Sequence, residues 1–154
     1  GFAFRGVVDR VDERDGRIVI MDYKTGGDTG ADGIDLDTLD PDDRDSWSEA
    51  IASVQLPVYA LLYAAQVNRP VRDIRPVFLR LGLEQVGLDC EHSFVADEAT
   101  LERGYEMSVH VIRGLLNEIA DPAVPFTAAR DLSTACVHCG YTTLCGTQWV
   151  RKKW

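Results

Sequence analysis

Apolar residues recur on two different periods along this chain. Between Phe2 and Asp12 the apolar positions Phe2, Phe4, Val7 and Val11 alternate loosely with polar ones, and Arg14-Asp15-Gly16 follows as a turn signal. The next segment, Arg17 to Lys24, contains Ile18-Val19-Ile20-Met21, which is apolar and largely β-branched on both faces. The pattern predicts a β-hairpin with a loop of three to five residues, its second strand central in a sheet. Gly26 to Ser46 is rich in Gly and Asp without any period and reads as a mobile, partly disordered loop. Ser46-Trp47-Ser48-Glu49 is a capping signal, after which Ile51, Val54, Val58, Leu61, Leu62 and Ala65 recur at helical spacing. Pro57 then either lies near the start of that helix or kinks it.

Two further strands are predicted at Ile74 to Leu83 and Asp89 to Val95, around a Gly82 to Gly87 connection. Asp97 is placed to cap a long helix to about Ala120, with Leu101, Tyr105, Val109, Ile112, Leu116 and Ile119 on one stripe. Pro122 and Pro125 end it. The order is strand, strand, helix, strand, strand, helix and a cysteine-bearing tail, which is an α/β domain with a mixed sheet. The 154 residues suit one such domain, divided here into a core over 1–129 and a tail over 130–154.

Composition narrows the classes. With 45% hydrophobic residues the chain can bury a core, and no run of 18 apolar residues exists to cross a membrane. The start, Gly1-Phe2-Ala3-Phe4-Arg5, lacks the basic-then-apolar order of a signal peptide. The chain therefore reads as an internal part of a cytoplasmic protein. A net charge of −9 argues at first against a nucleic-acid partner. Yet Asp28 to Asp45 holds eight Asp and one Arg, which is −7 of that total, so global charge reports one acidic loop. That loop lacks the order and the closing Glu of an EF-hand. The end is basic, with Arg130, Arg151, Lys152 and Lys153 against Asp131. There Trp149 and Trp154 could stack on bases, or the tail could simply pack.

The acidic positions of the hairpin carry the candidate chemistry. Gly6-Val7-Val8-Asp9-Arg10-Val11-Asp12 and Asp22-Tyr23-Lys24-Thr25-Gly26 fall on neighbouring strands, so Asp9 and Asp22 can face each other. Facing carboxylates repel unless a cation lies between them, and Mg²⁺, a hard cation usually held by one or two carboxylates plus water and phosphate oxygens, is the natural guest. Lys24, two residues past Asp22, shares its face. A cation and a lysine beside a phosphodiester can position water and neutralise developing charge. The plain alternative is a set of strand-end residues, with Lys24 and Arg10 in exposed ion pairs. Gln55 and Tyr59, four apart, share one face of the next helix and could orient the lysine, or be ordinary helix-surface polarity.

Cys136, Cys139 and Cys145 form a C-x2-C-x5-C group that suits iron–sulfur or metal ligation better than a disulfide framework. Four thiolates would complete an iron–sulfur or zinc site. Cys90 is the only other cysteine, and a lone strand cysteine is commonly just packed. His138 could complete zinc only in cramped geometry, and a disulfide within the group is a third reading. His92 and His110 carry no motif.

Gly6-x-x-Asp9-Arg10-x-Asp12, Asp22-Tyr23-Lys24-Thr25-Gly26 and Gln55-Leu56-x-x-Tyr59, in that order, resemble the RecB-type branch of the PD-(D/E)XK nuclease superfamily. The closing cysteines resemble its iron–sulfur subset, which includes AddB-type helicase–nuclease subunits and CRISPR-associated adaptation nucleases. The resemblance spans Gly6 to Cys145. It implies a restriction-endonuclease-like core with a mixed central sheet flanked by helices. Asp9, Asp22 and the Tyr23 carbonyl would hold Mg²⁺ or Mn²⁺, Lys24 would be the catalytic lysine, and Gln55 and Tyr59 would support it. Cys136, Cys139 and Cys145 would join a cysteine N-terminal to the nuclease motifs around a structural 4Fe-4S cluster, with zinc as the runner-up. The helical segment that precedes the first nuclease strand in that family is not in this sequence, so both sites are expected to be incomplete here. The implied function is a metal-dependent deoxyribonuclease, an exonuclease on single-stranded or duplex ends. It would act in DNA repair or recombination beside a helicase, in the nucleoid. The alternatives are a catalytically inactive nuclease-like module that guides DNA, or a zinc-bound interaction module. The last leaves the hairpin carboxylates unexplained.

Overall fold

Two residues turn the chain between its first two strands. In the computed structural model, β1 (Arg10–Arg14) pairs antiparallel with β2 (Arg17–Lys24) from Arg10↔Met21 to Arg14↔Arg17. Only Asp15 and Gly16 are left for the turn, with φ of 50° and 77°. This Asp-Gly pair, with both residues at positive φ, is the tight hairpin whose twist matches the strands, so the loop is shorter than the three to five residues expected. The structure describes residues 2–26, 33–82, 90–125, 129, 132–137 and 139–150. They belong to two units, Gly1–Leu116 and Asn117–Trp154.

The first strand is also shorter than its alternation predicts. Residues 2–8 form no strand, and Phe2, Phe4 and Val7 are exposed. Alternation makes a strand only where a ladder partner exists, and pairing with β2 begins at Arg10. As expected, β2 is central: Ile18 to Asp22 are all buried. It pairs in parallel with β3 (Ile74–Arg80), from Ile18↔Ile74 to Lys24↔Arg80. β3 pairs antiparallel with β4 (Glu91–Ser93), giving a mixed sheet in the order β1-β2-β3-β4. The described part of the Gly82–Gly87 connection is Gly82 alone.

The parallel β2–β3 step requires a crossover, and two helices provide it. The capping signal at Ser46 opens only a single turn, α1 (Trp47–Ala50), because the chain is extended at Ile51. Ser46 Oγ donates to the carbonyls of Asp40 (2.9 Å) and Asp43 (2.8 Å) rather than capping. The main helix, α2 (Gln55–Val67), begins four residues beyond Ile51, which puts Pro57 in its first turn. An N–H there has no partner within the helix, so proline neither breaks nor kinks it.

The acidic stretch is more ordered than its composition suggests. Among its described residues, Ile34, Leu36 and Leu39 are buried in the core and Ile34 bridges to Ile51. The aspartates close turns: Asp35 accepts from the Asp37 and Thr38 backbone N–H groups and from Thr38 Oγ1, while Asp40 and Asp43 accept from Asp42 and Asp45 N–H. Asp28 and Asp32 lie outside the described residues.

Leu56, Ala60 and Ala64 of α2 share one core with Ile18 and Ile20 of β2 and Ile74 and Phe78 of β3. The long helix α3 (Leu101–Ala120) adds Leu101, Tyr105 and Val111. Asp97 caps the 3-10 turn before it, accepting from Ala99 N–H at 2.9 Å. Its buried stripe runs through Leu101, Gly104, Tyr105, Ser108 and Val111, so it is rotated from the expected one, and Ile119 is exposed. Gly104 sets that rotation: a Cβ there would meet Val95 Cγ1 at 2.6 Å and the Phe94 ring at 2.9 Å. Tyr105 donates to the Ile74 carbonyl at 3.0 Å, and burial raises its phenol pKa. In the second unit, α4 (Leu132–Ala135) is one turn followed by short turns. No helix among the described residues is long and apolar enough to cross a membrane.

Candidate functional site

Side chains two apart on a strand share a face, so Asp22 and Lys24 continue the face of β2 that Ile18 and Ile20 bury in the core. Helix α2 begins at Gln55, and Tyr59 follows one turn later. These four residues meet. Lys24 Nζ lies 2.7 Å from Asp22 Oδ2 and donates to Gln55 Oε1 at 2.9 Å. Gln55 Nε2 donates to Asp22 Oδ1 at 2.7 Å and to the Tyr59 hydroxyl at 3.0 Å. Asp22, Lys24 and Gln55 thus form a closed ring. Its chemistry allows only one amide orientation, with nitrogen toward the carboxylate and oxygen toward the ammonium.

The ring stands at the border between core and solvent. Asp22 is 6% exposed, whereas the Lys24 side chain is 36% exposed, so solutes can reach the lysine. Lys24 Nζ also lies 4.6 Å above the Phe78 ring, a cation–π contact. Phe78 is the β3 partner of Asp22 in the parallel register, and Arg80, buried, is the partner of Lys24. Strand pairing therefore brings a second cation to the same face.

Asp9 is placed differently from the expectation of two facing strand residues. One step beyond Arg10↔Met21 would bring Asp9 opposite Asp22, but Asp9 is a bend residue outside β1, and it is exposed. Its Oδ2 accepts the Tyr23 N–H at 2.8 Å, in place of the carbonyl that a longer strand would have offered. A strand residue directs its N–H and C=O to the same edge, so the Tyr23 carbonyl also faces the edge where Asp9 stands. Asp9 and the Tyr23 carbonyl thus border this edge next to Asp22, whose own carboxylate is turned into the ring. All three are hard oxygen donors of the kind Mg²⁺ and Mn²⁺ take.

The exposed ion pair expected of Arg10 exists, with Asp12 as its partner: Arg10 Nε donates to Asp12 Oδ1 at 2.8 Å. That contact holds the Asp12 carboxyl below its usual range and raises the Arg10 guanidinium. Lys24, by contrast, is tied into the ring.

Two glycines also shape the site. A Cβ on Gly6 would meet Tyr59 Cε1 at 2.9 Å, so the backbone before Asp9 lies directly on the Tyr59 ring. A Cβ on Gly82 would collide with the carbonyl oxygens of Thr25 and Gly26, just past Lys24. The first glycine had a signal in the Gly6-x-x-Asp9 spacing, while the second depends on the β2–β3 register.

The cysteines are not gathered in the same way. Cys136 is buried, Cys139 half-buried and Cys145 exposed in the second unit, and Cys90 is half-buried in the first. Tyr141 N–H donates to Cys139 Sγ at 3.5 Å. Among the described residues no three His, Cys, Asp or Glu side chains converge to hold a metal, and His138 lies outside those residues.

No curated protein and no solved structure matches the chain. A family model does, over residues 1–146, from before the hairpin through all three cysteines. Its chemistry is the cleavage of nucleic acid, and its fold agrees with the mixed four-stranded sheet flanked by helices. The chain belongs to the PD-(D/E)XK nuclease superfamily.

Proposed function

We propose that this domain is a Mg²⁺- or Mn²⁺-dependent deoxyribonuclease. The observation that carries the reading is the ring of Asp22, Lys24 and Gln55, completed by Tyr59 and bordered by Asp9. Asp9, Asp22 and the Tyr23 carbonyl would hold the cation. When bound, the cation would neutralise phosphate charge and make water more acidic. The remaining work falls to the chain itself. Lys24, reachable from solvent, orients the attacking water or neutralises a phosphate oxygen as charge builds. Gln55 fixes the direction of the ammonium, Tyr59 fixes Gln55, and Phe78 supports the lysine from below. A ring this complete also weighs against an inactive module.

The finer reading is an exonuclease on single-stranded ends that works beside a helicase in DNA repair or recombination. The order of the hairpin, lysine and glutamine motifs supports it. The C-x2-C-x5-C spacing supports a structural 4Fe-4S cluster at Cys136, Cys139 and Cys145, with zinc as the alternative. The test of the central reading is Lys24→Ala, assayed with Mn²⁺ on end-labelled single-stranded and duplex DNA. We expect cleavage to fall by about 10²–10³-fold, the order lost with one catalytic electrostatic group, while the variant still melts cooperatively. Unchanged cleavage in a folded variant would overturn the role of Lys24.

A further inference from the structure

Asp22 has two carboxylate oxygens, and the protein already uses both. Oδ1 accepts from Gln55 Nε2 at 2.7 Å, and Oδ2 meets Lys24 Nζ at 2.7 Å. Asp9 is exposed and gives Oδ2 to the Tyr23 N–H. The two carboxylates of the proposed cation site are therefore unequally available. We infer that Lys24 is a built-in competitor for the divalent cation: its ammonium lies on Asp22 Oδ2, the oxygen an ion would take, so the ion must displace it to bind. The inference rests on the reading of Asp9, Asp22 and Tyr23 as the cation's ligands.

The electrostatics favour such an arrangement. A carboxylate as buried as Asp22 is costly without a counter-charge, and Lys24 supplies one at 2.7 Å. Releasing Asp22 does not cast Lys24 loose. Its hydrogen bond to Gln55 Oε1 at 2.9 Å and its position 4.6 Å above the Phe78 ring involve neither Asp22 oxygen. Gln55 and Phe78 can keep the ammonium at the site while Asp22 turns to the ion. Ion binding and the freeing of Lys24 for a substrate phosphate then become one event, which orders the site: ion first, lysine second.

The test is calorimetric titration of Mn²⁺ into the full chain as wild type, Lys24→Met, Lys24→Arg and Asp22→Asn. Methionine keeps much of the bulk of the stem over Phe78 and removes the charge. Lys24→Met should bind Mn²⁺ at least about tenfold more tightly than wild type, since removing one charge a few ångström from a divalent ion is worth that much even when water screens it. Lys24→Arg should bind like wild type, and Asp22→Asn should lose binding. Melting curves give a second readout if Lys24→Met folds poorly: without ion it should melt below wild type, and saturating Mn²⁺ should raise its Tm by more. Equal or weaker affinity in Lys24→Met, with binding still dependent on Asp22, would overturn the competition and leave the cation site standing. No binding by either wild type or Lys24→Met would overturn both.

Discussion

The two faces of β2 differ by one residue in register and by far more in chemistry. On one face the sequence reads Ile18, Ile20, Asp22, Lys24, and the charges enter the end of the main core, where Gln55 meets them. On the other it reads Val19, Met21, Tyr23, and Val19 and Met21 form a small separate core with Val77 of β3. Charges on this second face stay at the surface. Arg14 passes 3.8 Å from Met21 Sδ to reach Glu91 at 2.6 Å, and Arg75 meets Glu91 at 3.6 Å. Both faces bury apolar residues beside ion pairs, but only the first buries the carboxylate. There each oxygen of the buried Asp22 has a partner, as a buried charge needs, while the other pairs lie where water screens them. That difference separates a site from an ordinary sheet surface.

Removing one member from each network should break the symmetry of numbers and reveal the asymmetry of energy. Gln55→Ala takes from buried Asp22 one of its two partners and from Lys24 its amide acceptor. We expect a loss of about 1–3 kcal/mol in urea unfolding, the cost of leaving a buried polar group unsatisfied. Cleavage should fall with it, because Lys24 loses its orientation. A loss under about 0.5 kcal/mol, well below that range, would mean that Asp22 and Lys24 hold each other without the helix.

Glu91→Ala removes the acid that both Arg14 and Arg75 reach, so it breaks two ion pairs at once. The Arg14 and Glu91 side chains remain 41% and 20% exposed. The expected loss is about 0–1 kcal/mol, reduced further in 1 M salt, with cleavage unaffected. A loss comparable to that of Gln55→Ala would show that ion pairs, rather than Val19, Met21 and Val77, hold the second face.

Legibility in the sequence follows the same division. The bounds of β2 and the shared face of Asp22 and Lys24 could be read directly, because an apolar run and a period of two are local signals. So could the pairing of Gln55 with Tyr59 on one helical face. That α2 presents Gln55 to Asp22 depends on the crossover, and that Phe78 lies under Lys24 depends on the β2–β3 register, neither of which leaves a local trace. Residues 2–8 show the converse error, since alternation without a ladder partner gave no strand. The acidic stretch misled for another reason: its composition signalled solvent, while Ile34, Leu36 and Leu39 were spaced among the aspartates to reach the core. In the tail the cysteine spacing is plain, but short turns fix no geometry that spacing alone could foretell.

Asp35 sharpens the comparison most finely, because its carboxylate, like that of Asp22, is held by partners on both oxygens, and it differs in burial. Its carboxylate accepts from Asp37 N–H at 3.0 Å, Thr38 N–H at 3.2 Å and Thr38 Oγ1 at 2.7 Å, yet it is exposed. The Thr38 hydroxyl, followed by the backbone N–H groups of Asp37 and Thr38, holds the carboxyl below its ordinary range. A carboxyl depressed in the folded state binds protons more readily in the unfolded one. Its stabilisation is therefore present above the unfolded value, about 3.9 for Asp, and is lost as pH falls through the lower folded value. Asp35→Asn should accordingly melt slightly below wild type at pH 7, with the gap closing below about pH 4. Melting curves of the two proteins between neutral and strongly acidic pH measure it. A gap that stays constant would assign the effect to turn geometry instead of charge. The expected gap is the smallest of these effects, because Asp35 is exposed and water can replace much of what its three donors supply, whereas Asp22 is buried.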